Sequence, residues 1–147
     1  MSDDGVVFNH LGQCVTDLAR SKRFYCELFG FTLLREINPP DELSAKLLGL
    51  TAPLAMTASY LQRDGLVLEL LHFAASGQTL PYEARAMNQP GLTHISLSVD
   101  DLPGVLGRVA DYGGQVIEAS NIGNAAFIRD PDGQLVELLP MAYRNSL

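Results

Sequence analysis

Two histidines and two glutamates occupy matching places in the chain, and together they have the chemistry of a metal site. His10 and His94 each lie early in an apolar stretch, and Glu69 and Glu137 each lie in a leucine-rich one. A single histidine or glutamate in such surroundings is usually a structural residue. Two imidazoles and two carboxylates brought to one point by a twofold relation are instead best neutralised by a divalent cation. The pairing therefore predicts that these four residues bind a metal ion.

An internal duplication relates the four residues. The stretch FNHLGQCVTDL at 8–18 matches LTHISLSVDDL at 92–102 with an offset of 84, which aligns the histidines. The stretch DGLVLELL at 64–71 matches DGQLVELL at 132–139 with an offset of 68, which aligns the glutamates. Two matching blocks in the same order indicate a repeated structural unit. The offsets differ by 16, so the first copy has a longer middle, placed at 38–58, where the amphipathic stretch DELSAKLLGL predicts a helix.

The sequence predicts that Glu69 is buried. Its neighbours Leu68 and Leu70, and the residues beyond them, are apolar, so both faces of its strand belong to the interior. An unpaired carboxylate in that position would cost on the order of several kcal/mol. Glu69 therefore requires a partner, and a cation shared with the other three residues meets this requirement.

Each copy has the pattern of one strand, one helix and three further strands. In the first copy, residues 7–15 alternate as a strand does, and Asp17 caps a helix that ends at Gly30. In the second copy, Asp101 is the cap and Gly113 follows the helix. An Asp-Gly turn precedes the last strand of each copy. The further strands are predicted at 31–37, 56–62 and 66–73 in the first copy and at 115–120, 124–130 and 134–140 in the second.

These elements predict an α+β fold made of two tandem βαβββ modules within one domain, residues 1–147. The modules span 5–74 and 91–141. A connector rich in Gly and Pro joins them at 75–90, with one helical turn predicted at 82–87. A single βαβββ unit would leave one face of its sheet bare. The modules must therefore pair, either within one chain or between two copies.

Composition and charge exclude several classes of function. The chain has 147 residues, 47% of them hydrophobic, but no apolar run of the roughly 20 residues that span a membrane. The N-terminus lacks a secretory signal, so we expect a cytoplasmic protein with no membrane partner. A net charge of −7, spread along the chain, excludes a nucleic-acid partner. Cys14 and Cys26 are predicted to be buried, reduced thiols, and no haem or iron–sulfur signature is present.

With these motifs, the sequence resembles the vicinal oxygen chelate superfamily. The resemblance runs from NHLGQCVTDLARSKRFYCELFGFTLLRE through RDGLVLELL and THISLSVDDL to IRDPDGQLVELLP. The superfamily includes glyoxalase I, methylmalonyl-CoA epimerase, type I extradiol dioxygenases and the bleomycin and fosfomycin resistance proteins. The resemblance implies the glyoxalase/bleomycin resistance/dioxygenase fold, in which paired βαβββ modules form a curved mixed sheet around a cleft. It also implies a small-molecule substrate and a homodimer.

The resemblance extends to the ligand set. Metal-using members carry ligands on the first and last strands of their modules, which corresponds here to His10, Glu69, His94 and Glu137. One divalent ion per site is implied, and Ni, Co, Zn, Mn and Fe are not distinguishable. The set is similar to that of bacterial glyoxalase I. This implies a metal-dependent lyase or isomerase that abstracts a proton next to a carbonyl and stabilises an enediolate-type intermediate. In that family the glutamate matching Glu137 most often acts as the base, and Glu69 then serves catalysis chiefly as a ligand.

Three alternatives stay open. A methylmalonyl-CoA epimerase-like enzyme commonly has Gln in the place of Glu69. An extradiol ring-cleaving dioxygenase needs only two histidines and one glutamate, and the spare His72 would point to the opposite face from Glu69. A metal-free antibiotic-binding resistance protein would line its groove with aromatic residues, and the chain has no Trp.

The sequence departs from glyoxalase I at one position. That enzyme usually has an arginine four residues after its first ligand, where the side chain grips a carboxylate of glutathione. Cys14 occupies this place here, and Ser98 occupies the matching place in the second copy. Arg20, Arg23 and Arg35 are predicted to be solvated surface residues rather than substitutes. The thiol that accompanies the substrate therefore stays open.

Overall fold

A computed structural model describes residues 5–80 and 83–147 of the chain. The chain divides into two compact units, Met1–Leu18 with Gly30–Thr79 and Ala19–Phe29 with Leu80–Leu147. Each unit contains one four-stranded mixed sheet. The first helix of the chain, α1 (Leu18–Arg23), runs into a π-helical turn at Phe24–Leu28, and from Ala19 onward it belongs to the second unit.

The sheet of the first unit has four strands, β1 (Leu11–Cys14), β2 (Thr32–Ile37), β3 (Met56–Arg63) and β4 (Leu66–Phe73). Their order across the sheet is β1-β4-β3-β2. The β1–β4 pair is parallel, and the other pairs are antiparallel. Asp64 and Gly65 join β3 to β4 with φ values of 49° and 83°. Two positive φ values match the twist of a two-residue hairpin, which confirms the predicted turn.

The longer middle of the first copy forms a helix, as its amphipathic pattern predicts. Helix α2 (Asp41–Leu48) ends at Gly49, whose left-handed backbone, with φ 68°, stops the helix. The carboxylate of Asp41 accepts hydrogen bonds from the backbone N–H groups of Leu54 and Ala55, each 3.1 Å long. Ala45 of the helix packs with Leu54 and the ends of β3 and β4. The insertion is therefore anchored to the first sheet at both of its ends.

The sheet of the second unit has four shorter strands, β5 (Ile95–Val99), β6 (Gln115–Val116), β7 (Ala126–Arg129) and β8 (Leu135–Pro140). Their order, β5-β8-β7-β6, repeats that of the first sheet, again with one parallel pair, β5–β8. The strand predicted at 115–120 is too long, because the chain enters a 3-10 turn at Glu118–Ser120. The repeated strand order confirms the predicted α+β fold class.

The helix of the second copy begins as predicted but is interrupted after about one turn. In α3 (Leu102–Leu106), Oδ1 of Asp101 caps the first turn by accepting a 3.0 Å hydrogen bond from the N–H of Gly104. The helix stops at Leu106, and a 3-10 turn at Val109–Tyr112 continues as far as Gly113, where φ is 81°. A final short helix, α4 (Met141–Arg144), follows β8.

Three smaller expectations have mixed outcomes. Cys14 is exposed and Cys26 is half-buried, so the predicted burial is wrong for Cys14, which ends a four-residue strand at the edge of its sheet. The helical turn predicted at 82–87 is absent from 83–87, and residue 82 lies outside the described residues. No helix in the described part of the chain is both long and apolar enough to cross a bilayer.

Candidate functional site

In the first unit, the structure brings His10 and Glu69 together. His10 immediately precedes β1, and Glu69 lies in the middle of β4, where Gly12 is its direct partner in the parallel pair. Nε2 of His10 is 2.8 Å from Oε2 of Glu69. The glutamate is 9% exposed, which confirms its predicted burial. A Cβ on Gly12 would lie 3.5 Å from the same carboxylate oxygen, so the glycine leaves that side of Glu69 uncrowded.

Tyr60 completes the surroundings of Glu69. It is the direct partner of Glu69 across the β3–β4 hairpin, so both side chains point to the same face. The Tyr60 hydroxyl donates a 2.7 Å hydrogen bond to Oε1 of Glu69, and its ring packs edge-on against His10. Burial raises the pKa of Tyr60, and the hydrogen bond to Glu69 and its negative charge raise it further, while the charge of Arg35 opposes the shift.

In the second unit, His94 and Glu137 repeat this arrangement. His94 immediately precedes β5, and Glu137 lies within β8 opposite Ser96. Nε2 of His94 is 3.6 Å from Oε1 of Glu137, a longer separation than in the first unit. Ser96 donates a 2.9 Å hydrogen bond to the same oxygen. The position that Tyr60 holds in the first sheet is taken by Phe127, whose ring packs edge-on against His94.

The two glutamates therefore have equivalent positions but unequal surroundings. Both oxygens of Glu69 are engaged, one by Tyr60 and the other by His10. Both contacts of Glu137 fall on Oε1, and none of the described residues donates a hydrogen bond to its Oε2. The Glu69 side chain is 12% exposed, and that of Glu137 is 25% exposed. Glu69 thus has a partner at each oxygen, whereas both partners of Glu137 lie at one oxygen.

Each histidine is oriented in a way that suits metal binding. Nδ1 of His10 is hydrogen-bonded to the side-chain oxygen of Asn9, and Nδ1 of His94 is hydrogen-bonded to the hydroxyl of Thr93. A hydrogen bond at one ring nitrogen fixes the imidazole and leaves the other nitrogen to act as a ligand. In both units the remaining nitrogen, Nε2, faces the glutamate. Each unit therefore presents one imidazole nitrogen and one carboxylate that could act as metal ligands.

The four predicted ligands occur as two separate pairs. Among residues 5–80 and 83–147, no group of three or more His, Cys, Asp or Glu side chains is placed to share one cation. The His10–Glu69 pair belongs to the first unit and the His94–Glu137 pair to the second. Two ligands are fewer than the three or four that protein zinc sites usually supply.

Sequence reasoning missed Tyr60 and Ser96, the two side chains that donate hydrogen bonds to the glutamates. A signal for Tyr60 was available, because a two-residue turn at Asp64-Gly65 fixes the hairpin register and so pairs Tyr60 with Glu69. No comparable turn fixes Ser96, because its strand is parallel to the strand of Glu137 and distant in the chain.

One of the three arginines differs from the prediction. Arg20 is only partly exposed and pairs with Asp132 at 3.5 Å, so its prediction as a solvated residue is wrong. Its helix packs within the second unit, which brings it to that carboxylate. Arg35 is exposed as predicted, but it pairs across the strands with Tyr60 and so lies on the same face as Glu69. Arg23 is exposed and pairs with Glu27 on its own helix.

Comparison with known proteins agrees with this architecture. Residues 7–138 match the sequence profile of the Glyoxalase/Bleomycin resistance protein/Dioxygenase superfamily. A lactoylglutathione lyase from Pseudomonas aeruginosa is 31% identical over 151 residues, covering 96% of this chain and 86% of that protein. The trypanothione-dependent glyoxalase I of Leishmania major aligns with a TM-score of 0.68 at 25% identity, covering 93% of this chain and 88% of that one.

A second solved structure supports the fold alone. A glyoxalase family protein from Bacillus cereus aligns with a TM-score of 0.74 at 18% identity, covering 94% of this chain and 96% of that one. The profile match spans both sheets, from the residues before β1 into β8. The chain therefore belongs to the Glyoxalase/Bleomycin resistance protein/Dioxygenase superfamily.

Proposed function

We propose that the protein is a metal-dependent lyase of the glyoxalase I type, in which His10, Glu69, His94 and Glu137 bind one divalent cation. One His–Glu pair comes from each sheet, and a twofold relation within one chain or in a homodimer supplies both pairs. The observation that carries the proposal is the repetition of the same pair, at the same register positions, in both units. Similarity to a lactoylglutathione lyase adds support.

The donor set suits a divalent cation that keeps positions free for substrate. Two neutral imidazoles and two carboxylates balance a charge of +2, and four protein ligands leave coordination positions open on a six-coordinate ion. When bound, such an ion acts as a Lewis acid toward the substrate oxygen on which negative charge develops. The donor types are compatible with Ni, Co, Zn, Mn or Fe.

The geometry of the carboxylates supports the proposal that Glu137 is the base. Its Oε2 accepts no hydrogen bond from the described residues, whereas both oxygens of Glu69 are engaged. The Glu137 carboxylate takes the proton from the substrate carbon beside the carbonyl, and the electron pair moves toward the carbonyl oxygen. The resulting carboxyl group returns this proton to the former carbonyl carbon, while the hydroxyl proton of the first carbon passes to the former carbonyl oxygen, which yields an isomer of the substrate. Glu69 remains chiefly a ligand.

We infer that the substrate is the small adduct of a 2-oxoaldehyde with a thiol, as the name of the Pseudomonas aeruginosa relative suggests. Such an adduct carries a hydrogen on the carbon next to a carbonyl, which is the proton that Glu137 removes. Cys14 stands where glyoxalase I usually has the arginine that binds glutathione, and β1 contains no Lys or Arg side chain. The adducts of glutathione and of N-acetylcysteine are therefore the two substrates to compare.

Metal analysis and isotope exchange test the proposal together. Protein purified without chelator or affinity nickel is expected to contain one divalent ion per chain. Glu137→Gln should retain most of this metal, because three ligands and a neutral amide oxygen remain. It should lose solvent-deuterium exchange at the reacting carbon of the methylglyoxal hemithioacetals by about 10²–10⁴-fold, the usual contribution of a general base. Unchanged exchange in this variant, or a metal-free wild type, would reject the proposal.

Glu42→Gln is the matched control for the loss of one carboxylate. Glu42 is exposed in the first turn of α2 and makes no contact with either pair. Its substitution should leave both metal content and deuterium exchange unchanged. Equal losses in the two variants would mean that general charge, rather than the Glu137 carboxylate, controls the rate.

A mixing experiment decides whether one chain or two supplies the ligands. One variant carries His10→Ala with Glu69→Gln, and the other carries His94→Ala with Glu137→Gln. If a dimer shares its sites between chains, random mixing makes half of the dimers mixed, each with one intact site, and restores about a quarter of wild-type activity. If each chain builds its own site, mixing restores none.

A further inference from the structure

The two carboxylates differ most at one position, the residue that faces them across the sheet from β3 or β7. In the first sheet Tyr60 faces Glu69 and donates a 2.7 Å hydrogen bond to its Oε1. In the second sheet Phe127 has the same relation to Glu137 and has no hydroxyl to donate. Both rings also pack edge-on against the histidine of their own pair, with centroids 5.5 and 5.2 Å apart. At this cross-strand position the difference is therefore one phenolic oxygen.

The consequence of the phenol is that Glu69 has a hydrogen-bond donor at Oε1 in addition to the histidine beside Oε2. Tyr60 engages Oε1, and His10 lies 2.8 Å from Oε2. Rotation of the carboxylate would break a charge-assisted hydrogen bond, and such bonds are roughly twice as strong as neutral ones. The Tyr60 ring is itself fixed, because it packs against His10 on a central strand of the sheet. The hydrogen bond thus comes from a rigid element.

Glu137 is held at one oxygen only. Ser96 donates a 2.9 Å hydrogen bond to Oε1, and His94 lies 3.6 Å from the same atom. A serine hydroxyl rotates with its side chain, so it can follow the carboxylate as it turns. Gly12, the counterpart of Ser96, offers Glu69 no such donor. The two sheets therefore use different residues to bind equivalent carboxylates.

We propose that Tyr60 is a positioning residue that fixes Glu69 as a permanent ligand, and that the phenylalanine at position 127 leaves Glu137 able to rotate and act as the base. This inference rests on the proposed function. It explains why two glutamates related by duplication take different roles. It also makes the roles exchangeable, because moving one hydroxyl between two equivalent rings should move the constraint.

The test is an exchange of the two rings, read first by metal affinity. Tyr60→Phe should weaken Co(II) binding by about 10- to 100-fold, the usual effect of removing a group that orients a metal ligand. Phe127→Tyr should leave Co(II) affinity equal or higher and should slow deuterium exchange into the methylglyoxal–glutathione hemithioacetal at least about tenfold, because Glu137 is then held. Affinity is measured by competition with a chelator, and the absorption spectrum of bound Co(II) reports the ligand geometry.

The double variant Tyr60→Phe with Phe127→Tyr separates positioning from simple damage. In the wild-type background, Glu137→Gln should lower deuterium exchange more than Glu69→Gln does. If the hydroxyl determines the roles, the order should reverse in the double variant, where Glu69→Gln should have the larger effect. The same order in both backgrounds would overturn the proposal. Tyr143→Phe, which removes a hydroxyl from an exposed tyrosine on α4, is the control and should change neither readout.

Failure of the proposed function is distinguishable from failure of this inference. A wild type that binds no Co(II) rejects the metal site, and the inference is then tested on the metal-free protein by crystallography. In that case Glu69 should be ordered in one conformation in the wild type and should occupy several in Tyr60→Phe. A single, unchanged Glu69 conformation in the variant would overturn the positioning role of Tyr60, whether or not the protein binds metal.

Discussion

The hydroxyl of Tyr25 donates a 2.8 Å hydrogen bond to Oδ2 of Asp130, and both side chains are buried. Tyr25 belongs to the helix of the first copy, whereas Asp130 directly follows β7 of the second. The backbone N–H groups of Asp132 and Gln134 donate 2.9 Å hydrogen bonds to Oδ1 of the same carboxylate. Asp130 therefore shapes the turn into β8 and ties the first-copy helix into the second unit.

Tyr25→Phe should destabilise the protein without reaching the metal ligands. The phenylalanine ring fits the same space, but Oδ2 of the buried Asp130 loses its donor. An unsatisfied buried acceptor costs about 1–3 kcal/mol, and more when it is charged. Chemical denaturation of the metal-free protein measures this loss, with Tyr143→Phe as the exposed control. Equal stability of both variants would show that the hydrogen bond contributes nothing net.

Asp130 should also make stability depend on pH. Burial raises the pKa of this carboxyl above its usual 3.8, although the hydrogen bonds from Tyr25 and the backbone act in the opposite direction. Because the folded-state pKa lies above the unfolded one, the stability that this group contributes is complete below the unfolded pKa. It is lost as the pH rises through the folded pKa.

Asp130→Asn removes the titrating carboxyl group, so comparison of the wild type with this variant measures how the carboxyl affects stability. The difference in unfolding free energy between wild type and Asp130→Asn should decrease as the pH rises above 3.8, by at most about 1.4 kcal/mol per pH unit. Denaturation curves at a series of pH values measure the difference. A difference that stays constant, or that grows with pH, would contradict the raised pKa of Asp130.

The sequence was sufficient to predict the elements but not where the first helix packs. Alternation, caps and Asp-Gly turns are local signals, and they placed the main strands and the helix of the insertion. Which sheet the helix from Ala19 to Phe29 covers depends on long-range contacts such as Tyr25–Asp130, 105 residues apart in the chain. The duplication predicts that each helix packs against the sheet of its own copy, and no local feature of the sequence predicts otherwise.

The site was predictable to a similar extent. Duplication identified His10 and Glu69 as one pair because matching residues occupy matching strands. The different environments of the two glutamates were not predicted, because they depend on cross-strand neighbours, Tyr60 in one sheet and Phe127 in the other. Cross-strand neighbours follow from register, which the two-residue Asp64-Gly65 turn specifies in the first sheet but the longer connection between β7 and β8 leaves open in the second.

Titration of Tyr60 should report the charge of Glu69 directly. Burial, then the hydrogen bond and charge of Glu69, raise the pKa of Tyr60 above 10.0, and the positive charge of Arg35 lowers it. Glu69→Gln should therefore lower this pKa, leaving the effects of burial and of the Arg35 charge, and Arg35→Gln should raise it. The ultraviolet difference spectrum against the corresponding Tyr60→Phe protein, without metal, measures both. Shifts in the same direction would contradict this electrostatic arrangement.

Gly114 should resist substitution because of packing. A Cβ there would lie 2.7 Å from Cε2 of Phe24 and 2.8 Å from both the carbonyl oxygen of Arg129 and Cγ1 of Val109. The backbone oxygen cannot move without disturbing β7, so Gly114→Ala should cost about 1–3 kcal/mol, as overpacking does. Gly107→Ala is the control, because the nearest atom to its Cβ is 3.5 Å away and its φ is −66°. Denaturation should show the control to be neutral or slightly stabilising, and equal losses would reject the packing argument.

Loss of either His–Glu pair should abolish metal binding altogether. Two ligands hold a divalent ion weakly, so a cation that needs four should be lost from the variant His10→Ala with Glu69→Gln. It should be lost equally from His94→Ala with Glu137→Gln. We expect Co(II) affinity to fall at least about 100-fold in both, with His72→Ala unchanged because His72 points away from Glu69 on β4. If each pair instead bound its own ion, each variant would keep half of the Co(II) at undiminished affinity, and calorimetric titration separates the two cases by stoichiometry.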